Sequence, residues 1–186
     1  MRETIADLAK QTGQTKGAHI FYNSSKLEAY IENAVSFIVD GIRQGEHVLF
    51  VENTRIYPML LKELEACLSE KEMDGIHFVN NFDFYWLNGN FHPPTILAHF
   101  KKAADSFAME NLPFRTWGHI EWGSQQDIHD EIELYEKNVS DVIEEKNAIS
   151  VCAYDASRVS DELKERLVRC HDYLMTDDSI TCLTMN

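Results

Sequence analysis

Residues 18–53, AHIFYNSSKLEAYIENAVSFIVDGIRQGEHVLFVEN, read as strand, helix and strand in that order. Residues 18–22 (AHIFY) are a short apolar run. Ser25 and Glu28 have the S-x-x-E spacing of a capping box, in which a hydroxyl and a carboxylate satisfy the first free N–H groups of a helix. Apolar residues at Leu27, Tyr30, Ile31, Ala34, Val35, Ile38 and Ile42 then recur on one helical face. Gly45 is a natural stop, since helices commonly end on a residue of left-handed conformation. Residues 47–51 (HVLFV) are the next strand and are too apolar for an edge wetted on one side.

The same alternation runs to the end of the chain. Thr54 and Pro58 open a helix with Ile56, Met59, Leu60, Leu64 and Leu68 on its face, and residues 76–79 (IHFV) form a third strand. An aromatic connection, NNFDFYWLNGNFHPP (80–94), leads into a helix carrying Ile96, Leu97, Phe100, Ala104 and Phe107. Strand 114–122, an acidic helix over 126–145, strand 149–154, a helix over about 160–174 and a last strand over 180–185 follow. Repeated strand–helix units imply right-handed crossovers and a mostly parallel sheet buried on both faces. The expected fold is therefore α/β, a mostly parallel five- to six-stranded sheet with helices on both faces. It fills one domain over residues 18–186, preceded by a polar arm over residues 1–17.

Composition narrows the function classes. The 186 residues carry 31 acidic against 17 basic side chains, a formal net charge of −14. Nucleic-acid binding needs clustered Lys and Arg, and an anionic membrane face would repel this field. No nucleic-acid or membrane partner is expected, and without an apolar leader or spanning segment the expected location is cytoplasmic. Cys67, Cys152, Cys170 and Cys182 have no CxxC spacing, and Cys152 and Cys182 read as small buried hydrophobes. The eight histidines form no metal motif. His19, His47, His77 and His119 lie in strands, where an ordinary packed or surface histidine is the commoner role, so no metal or cofactor is expected.

In parallel sheets ligands bind beyond the carboxyl ends of the strands. Tyr22, Asn23 and Ser24, Glu52 and Asn53, Glu121 and Trp122, and Tyr154 and Asp155 stand at four such ends. The aromatic connection, with Phe82, Phe84, Tyr85, Trp86 and Phe91, reads as a lid over an apolar pocket, because long irregular connections are uncommon unless functional.

These segments resemble one family. H-I-x-x-F/Y (His19–Tyr22), F-I-x-x-G-I-x-x-G-E (Phe37–Glu46) and V-E-N (Val51–Asn53) occur in order, followed by an F-Y…F stretch (Phe84, Tyr85, Asn90, Phe91). R-x-x-G-x-x-x-W (Arg115, Gly118, Trp122), Tyr135-Glu136, C-x-Y-D (Cys152, Tyr154, Asp155) and His171 complete the set. Together they resemble the MEDS domains, sensory domains of methanogens and methylotrophs of the DcmR type. The chain departs from that pattern at His119, where the family usually carries Glu, with Glu121 close by.

The resemblance implies a RecA/KaiC-like three-layer sandwich and a stand-alone sensory module that is not an enzyme. It would bind a small organic ligand at the carboxyl edge of the sheet and signal to a separate kinase or transcriptional regulator. A homodimer is left open. His19 and Tyr22 are the expected polar contacts, Glu52 and Asp155 the acceptors, and Trp86, Trp122 and Tyr154 the walls. Where RecA-like ATPases carry G-x-x-x-x-G-K-[ST], residues 21–27 read FYNSSKL, with no glycine to wrap phosphates and no hydroxyl after the lysine for Mg²⁺. The alternative expectation is a ligand-free interaction protein, a degenerate RecA-like ATPase that binds a signalling partner.

Overall fold

The computed structural model describes residues 17–125 and 127–183. They form one seven-stranded sheet from β1 (Ala18–Ser24), β2 (His47–Glu52), β3 (Ile76–Asn80), β4 (Phe114–His119), β5 (Ile149–Asp155), β6 (Tyr173–Met175) and β7 (Ile180–Cys182). The order is β3-β2-β4-β5-β1-β6-β7, parallel throughout except for the antiparallel β7. The helices are α1 (Leu27–Arg43), α2 (Tyr57–Cys67), α3 (Glu70–Met73), α4 (Asn81–Tyr85), α5 (Pro93–Met109), α6 (His129–Lys146) and α7 (Asp161–Cys170).

The two-residue period of β1 sets the layers. Ala18, Ile20 and Tyr22 pack under α1 and α2 with Val48, Phe50, Trp117 and Val151. Phe21 faces the other way, with Leu49, Val51, Cys152 and Tyr154, under α4 to α7. Sequence reading supplied the class, and the extra strand arises where it saw a single helix over 160–174. That helix ends at Cys170 because the Asp172 N–H donates to the His19 carbonyl at 2.8 Å, while the Asp172 carboxylate takes the His19 N–H at 2.9 Å. The chain is thereby turned into β6 alongside β1, and three residues are too few to show a strand period.

The start of α1 also differs. Its N-cap is Lys26, with no side-chain cap. Ser25 instead donates its hydroxyl to Asp177 Oδ2 at 2.7 Å. Cys182, expected inside, is exposed on the antiparallel strand, whereas Cys152 is buried, and all four cysteines are free thiols. The outer ends of two expected elements, residue 126 of the acidic helix and residues 184–185 of the last strand, lie outside the described residues, as do residues 1–16 of the polar arm.

Three of the five aromatics of the connection are core rather than lid, while Phe82 is exposed. Asn80 caps α4 by accepting the Phe82 and Asp83 N–H groups, and Phe84, Tyr85 and Phe91 are then fully buried. Each such side chain contributes about 1.5–3 kcal/mol by leaving water. Two glycines make close approaches possible. A Cβ on Gly118 would lie 2.6 Å from the Tyr85 hydroxyl, and one on Gly41 would lie 2.6 Å from Arg115 Nε. Arg115 is fully buried there, donating to Glu46, to Asp40 at 3.3 Å and to the Phe37 carbonyl at 3.0 Å.

Candidate functional site

The carboxyl ends of β1, β4 and β5 surround a cavity of about 220 Å³ lined by Ser24, Ser25, Lys26, Leu27, Tyr30, Ile56, His119, Tyr154 and Asp155. Beneath it lies Glu52, fully buried at the end of β2. Its Oε1 accepts from the Asn53 N–H at 2.7 Å and pairs with His119 Nδ1 at 2.6 Å, while Oε2 accepts from the Tyr30 hydroxyl. Trp117 Nε1 in turn donates to the Tyr30 oxygen at 2.8 Å. Burial opposes charge on His119, but the hydrogen bond and charge of Glu52 prevail and hold its pKa above the ordinary value. Burial, then the Glu52 charge, push the Tyr30 phenol well above its usual range.

The β1–α1 loop forms the cavity's rim, and the chain's own carboxylate occupies it. Asp177, in the β6–β7 turn, accepts from the Tyr22 hydroxyl at 2.9 Å, from Ser24 Oγ at 3.3 Å and from the Ser25 N–H at 3.2 Å. Burial works against this charge, and the hydrogen bonds from Ser25 and Tyr22 outweigh it, lowering the Asp177 pKa. Lys26 reaches Asp178 at 3.9 Å.

A second polar cluster lies on the opposite face of the sheet, under α6 and α7. His19, Glu136, Cys152 and His171 are all buried, and one potential ligand atom from each falls within 4.8 Å of the others. His19 Nε2 is 3.3 Å from Glu136 Oε2 and 3.2 Å from Cys152 Sγ, and His171 Nε2 is 3.6 Å from the same carboxylate oxygen. The Tyr154 hydroxyl donates to the other oxygen, Oε1. Burial, then the neighbouring His19, lower the His171 pKa to about 3. Burial pushes the Cys152 thiol well above its usual range, helped by the Glu136 charge.

The seven expected contact residues therefore do not form one site. Tyr154 and Asp155 line the strand-end cavity, and Glu52 and Tyr22 lie under its floor and rim. His19 lies on the opposite face because it is offset from Tyr22 by an odd number of strand residues. Trp122 turns under Arg158, whose guanidinium stacks 4.0 Å from its ring, and Trp86 packs on the bare face of Gly123. Neither tryptophan lines the cavity. Glu121 pairs with Arg158 at 2.9 Å. Tyr30 and His119, which build the floor, were read as a core position and a packed histidine. Strand parity was the available signal, since Glu52 and His119 share a face on neighbouring strands.

A family model described as "MEDS: MEthanogen/methylotroph, DcmR Sensory domain" matches residues 18–172. The chain belongs to the MEDS family. As a MEDS domain it has a sensory role, and the matched segment includes the strand-end cavity and the buried four-residue cluster. No curated protein matches it in sequence. Solved structures agree in fold. The flagellar accessory protein FlaH of Methanocaldococcus jannaschii is 13% identical with a TM-score of 0.54, over 94% of this chain and 79% of that one. The KaiC-like protein PH0186 of Pyrococcus horikoshii is 14% identical with a TM-score of 0.54, over 87% and 71%. The RadB recombinase is 12% identical with a TM-score of 0.56, over 87% and 74%. The ATP synthase subunit NeqB of Nanoarcheaum equitans is 10% identical with a TM-score of 0.54, and this MEDS chain spans 45% of its length. These likenesses establish a RecA/KaiC-like fold. Among the described residues no helix is long and apolar enough to cross a membrane.

Proposed function

We propose that this MEDS domain senses a small organic molecule bound in the strand-end cavity and signals to a separate kinase or transcriptional regulator, without catalysing a reaction. The observation that carries this reading is the cavity itself, at the edge of a parallel sheet where ligands bind. At about 220 Å³ it is smaller than the ~300–1,000 Å³ of drug-sized sites. Its apolar and aromatic walls are Leu27, Tyr30, Ile56 and Tyr154, and the polar residues lining it are Ser24, Ser25, Lys26, His119 and Asp155. A ligand with an apolar body and one hydrogen-bond acceptor suits such a lining, with His119 donating from Nε2 while Nδ1 is engaged by Glu52.

A larger groove of about 1,090 Å³ runs between α1 and α2, but it is open and edged by Glu28, Glu32, Asp40, Arg43, Lys62 and Glu63. The buried sheet group that reaches its edge, Arg115, is already paired with Asp40 and Glu46, which favours the smaller cavity for recognition. The β1–α1 loop supports a degenerate phosphate loop. It holds no glycine, and the backbone N–H of Ser25 is engaged by Asp177, so a triphosphate would have to displace a carboxylate held by four protein groups.

The test is a thermal-melt panel of small alcohols, amines, acids, halogenated hydrocarbons and Mg-ATP on the full chain and on Leu27→Trp. Leu27 is 44% exposed, so the substitution fills the cavity mouth without disturbing the core. A ligand at ~100 times its Kd adds ~2.7 kcal/mol, and a chain of this size shifts by ~2–4 °C per kcal/mol. An organic compound should raise the melting temperature of the parent chain and not that of L27W. Equal shifts in both would move the site elsewhere, and a shift with Mg-ATP alone would overturn the reading.

A further inference from the structure

We propose that His19, Glu136, Cys152 and His171 form a binding site for one divalent transition-metal ion, with Zn²⁺ the best match to the donors. Two imidazoles, one carboxylate and one thiol are the donor types that such ions take in tetrahedral sites. Metal–ligand bonds of ~2.0–2.3 Å around a tetrahedron put neighbouring donor atoms ~3.3–3.7 Å apart. The separations here are 3.2, 3.3 and 3.6 Å along the path Cys152 Sγ, His19 Nε2, Glu136 Oε2, His171 Nε2, and the remaining pairs fall within 4.8 Å, so the donors draw in slightly on binding.

The hydrogen bonds orient the donors. A carbonyl only accepts, so His171 Nδ1, 2.7 Å from the Leu167 carbonyl, carries a proton and leaves Nε2 as a bare lone pair. His19 Nδ1 faces the Cys170 carbonyl at 3.2 Å and Ser140 Oγ at 2.8 Å, which turns its Nε2 inward in the same way. Outer partners of this kind fix ring orientation at metal centres.

The decisive point is what lies between the donors. Glu136 Oε2 and His171 Nε2 are both buried without a hydrogen-bond partner. An anionic oxygen faces an imidazole lone pair across 3.6 Å of water-excluded interior, which is unfavourable unless a positive charge sits between them. A metal cation at the centre of the cluster meets all four donors at once. Binding displaces one proton, from the Cys152 thiol to solvent, leaving a thiolate ligand with no change of oxidation state.

The site lies across the sheet from Tyr22 and is linked to the proposed ligand cavity by Tyr154, which lines that cavity and donates its hydroxyl to Glu136. It ties β1, β5, α6 and the turn into β6 together, so it would fix the segment that carries Asp177.

The experiment uses the full chain bearing Cys67→Ser and Cys182→Ser, which removes the two exposed thiols. After chelator treatment it is titrated with Co²⁺ and followed by absorption. The expected result is saturation at one ion per chain, with a thiolate-to-cobalt band in the near ultraviolet and the visible bands of a tetrahedral ion. Cys152→Ala should abolish the thiolate band, and His171→Ala should weaken binding by more than the ~10–100-fold of an outer-shell change. If either variant fails to fold, X-ray absorption of the Zn²⁺-loaded parent decides, with one sulfur and three lighter donors expected. Failure to take up any ion, or a first shell without sulfur, overturns the proposal. Cobalt absorption and the sulfur shell report on the ion alone, so their failure is told apart from a failure of the thermal panel for the strand-end cavity.

Discussion

Two glutamates, Glu52 and Glu136, are both fully buried, and the sheet separates them. Glu52 receives three hydrogen bonds, from Asn53, His119 and Tyr30, and both of its oxygens are occupied. Glu136 receives the Tyr154 hydroxyl on one oxygen, while the other faces two imidazole nitrogens and no resolved donor. A buried charge is tolerated when it is paired and fully hydrogen-bonded. By that standard Glu52 is a finished structural element, the floor of a cavity, and Glu136 is half of one. The difference separates a network built to support a site from one built to hold something.

The largest expected effect comes from breaking the finished network. Glu52→Ala leaves the Tyr30 hydroxyl, the Asn53 N–H and the His119 Nδ1–H without an acceptor, and removing one member of a buried pair costs ~3–5 kcal/mol. Urea unfolding should record a fall of that order in the midpoint at unchanged slope. Glu136→Gln is the counterpart. Its amide can donate to His171 Nε2, so the chelator-treated protein should lose less than ~1 kcal/mol or gain stability. A loss as large as that of E52A would mean that Glu136 is already satisfied and the contrast is false.

Next comes the response to metal. Zn²⁺ at ~100 times its Kd should add ~2.7 kcal/mol to the parent chain, roughly 5–10 °C in melting temperature. The same addition should move E136Q far less. Equal shifts would place the ion elsewhere on an acidic surface.

Arg115 supplies a third buried charge with which to sharpen the comparison. Its Nε and Nη1 are engaged, and Nη2 is not. Gly41→Ala would push a methyl carbon to 2.6 Å from Nε and displace the guanidinium from Glu46. Overpacking of this kind costs ~1–3 kcal/mol, and the change should appear in the unfolding midpoint. A neutral G41A would show that this ion pair tolerates displacement and that Glu52 is special.

Much of this architecture is legible in the amino-acid sequence. The helical period over 27–42 and the apolar runs at 18–22, 47–51 and 149–154 are strong signals, because a strand buried on both faces has to be continuously apolar. The seventh strand was not legible, since β6 is three residues long and is set by Asp172 gripping the backbone of His19. The site was half legible. Strand ends located the cavity, but they do not say which face a side chain takes, and His19 was therefore grouped with Tyr22. Glu136, Cys152 and His171 come from a helix, a strand and a turn, and only the fold brings them to His19. The aromatic connection misled for a related reason. Its Gly and Asn content reads as irregular, yet Asn80 caps a short helix that turns Phe84 and Tyr85 inward.

The smallest effect expected is the pH dependence of the Glu52 network. His119 has a folded-state pKa raised above its unfolded value of about 6.5. Protonation therefore favours the folded state, and the stabilisation is fully present below the unfolded pKa. It declines as pH rises through the higher folded value, where the imidazolium loses its proton and the ion pair becomes a neutral hydrogen bond. Stability compared between parent and His119→Gln isolates this contribution, since Gln retains an N–H for Glu52 but does not titrate. The difference between the two should shrink as pH rises from about 6.5 into the alkaline range. A constant difference would mean that His119 supports Glu52 as a neutral donor. The finished network would then owe its stability to Tyr30 and the Asn53 N–H, and the ligand would meet a neutral imidazole at the cavity floor.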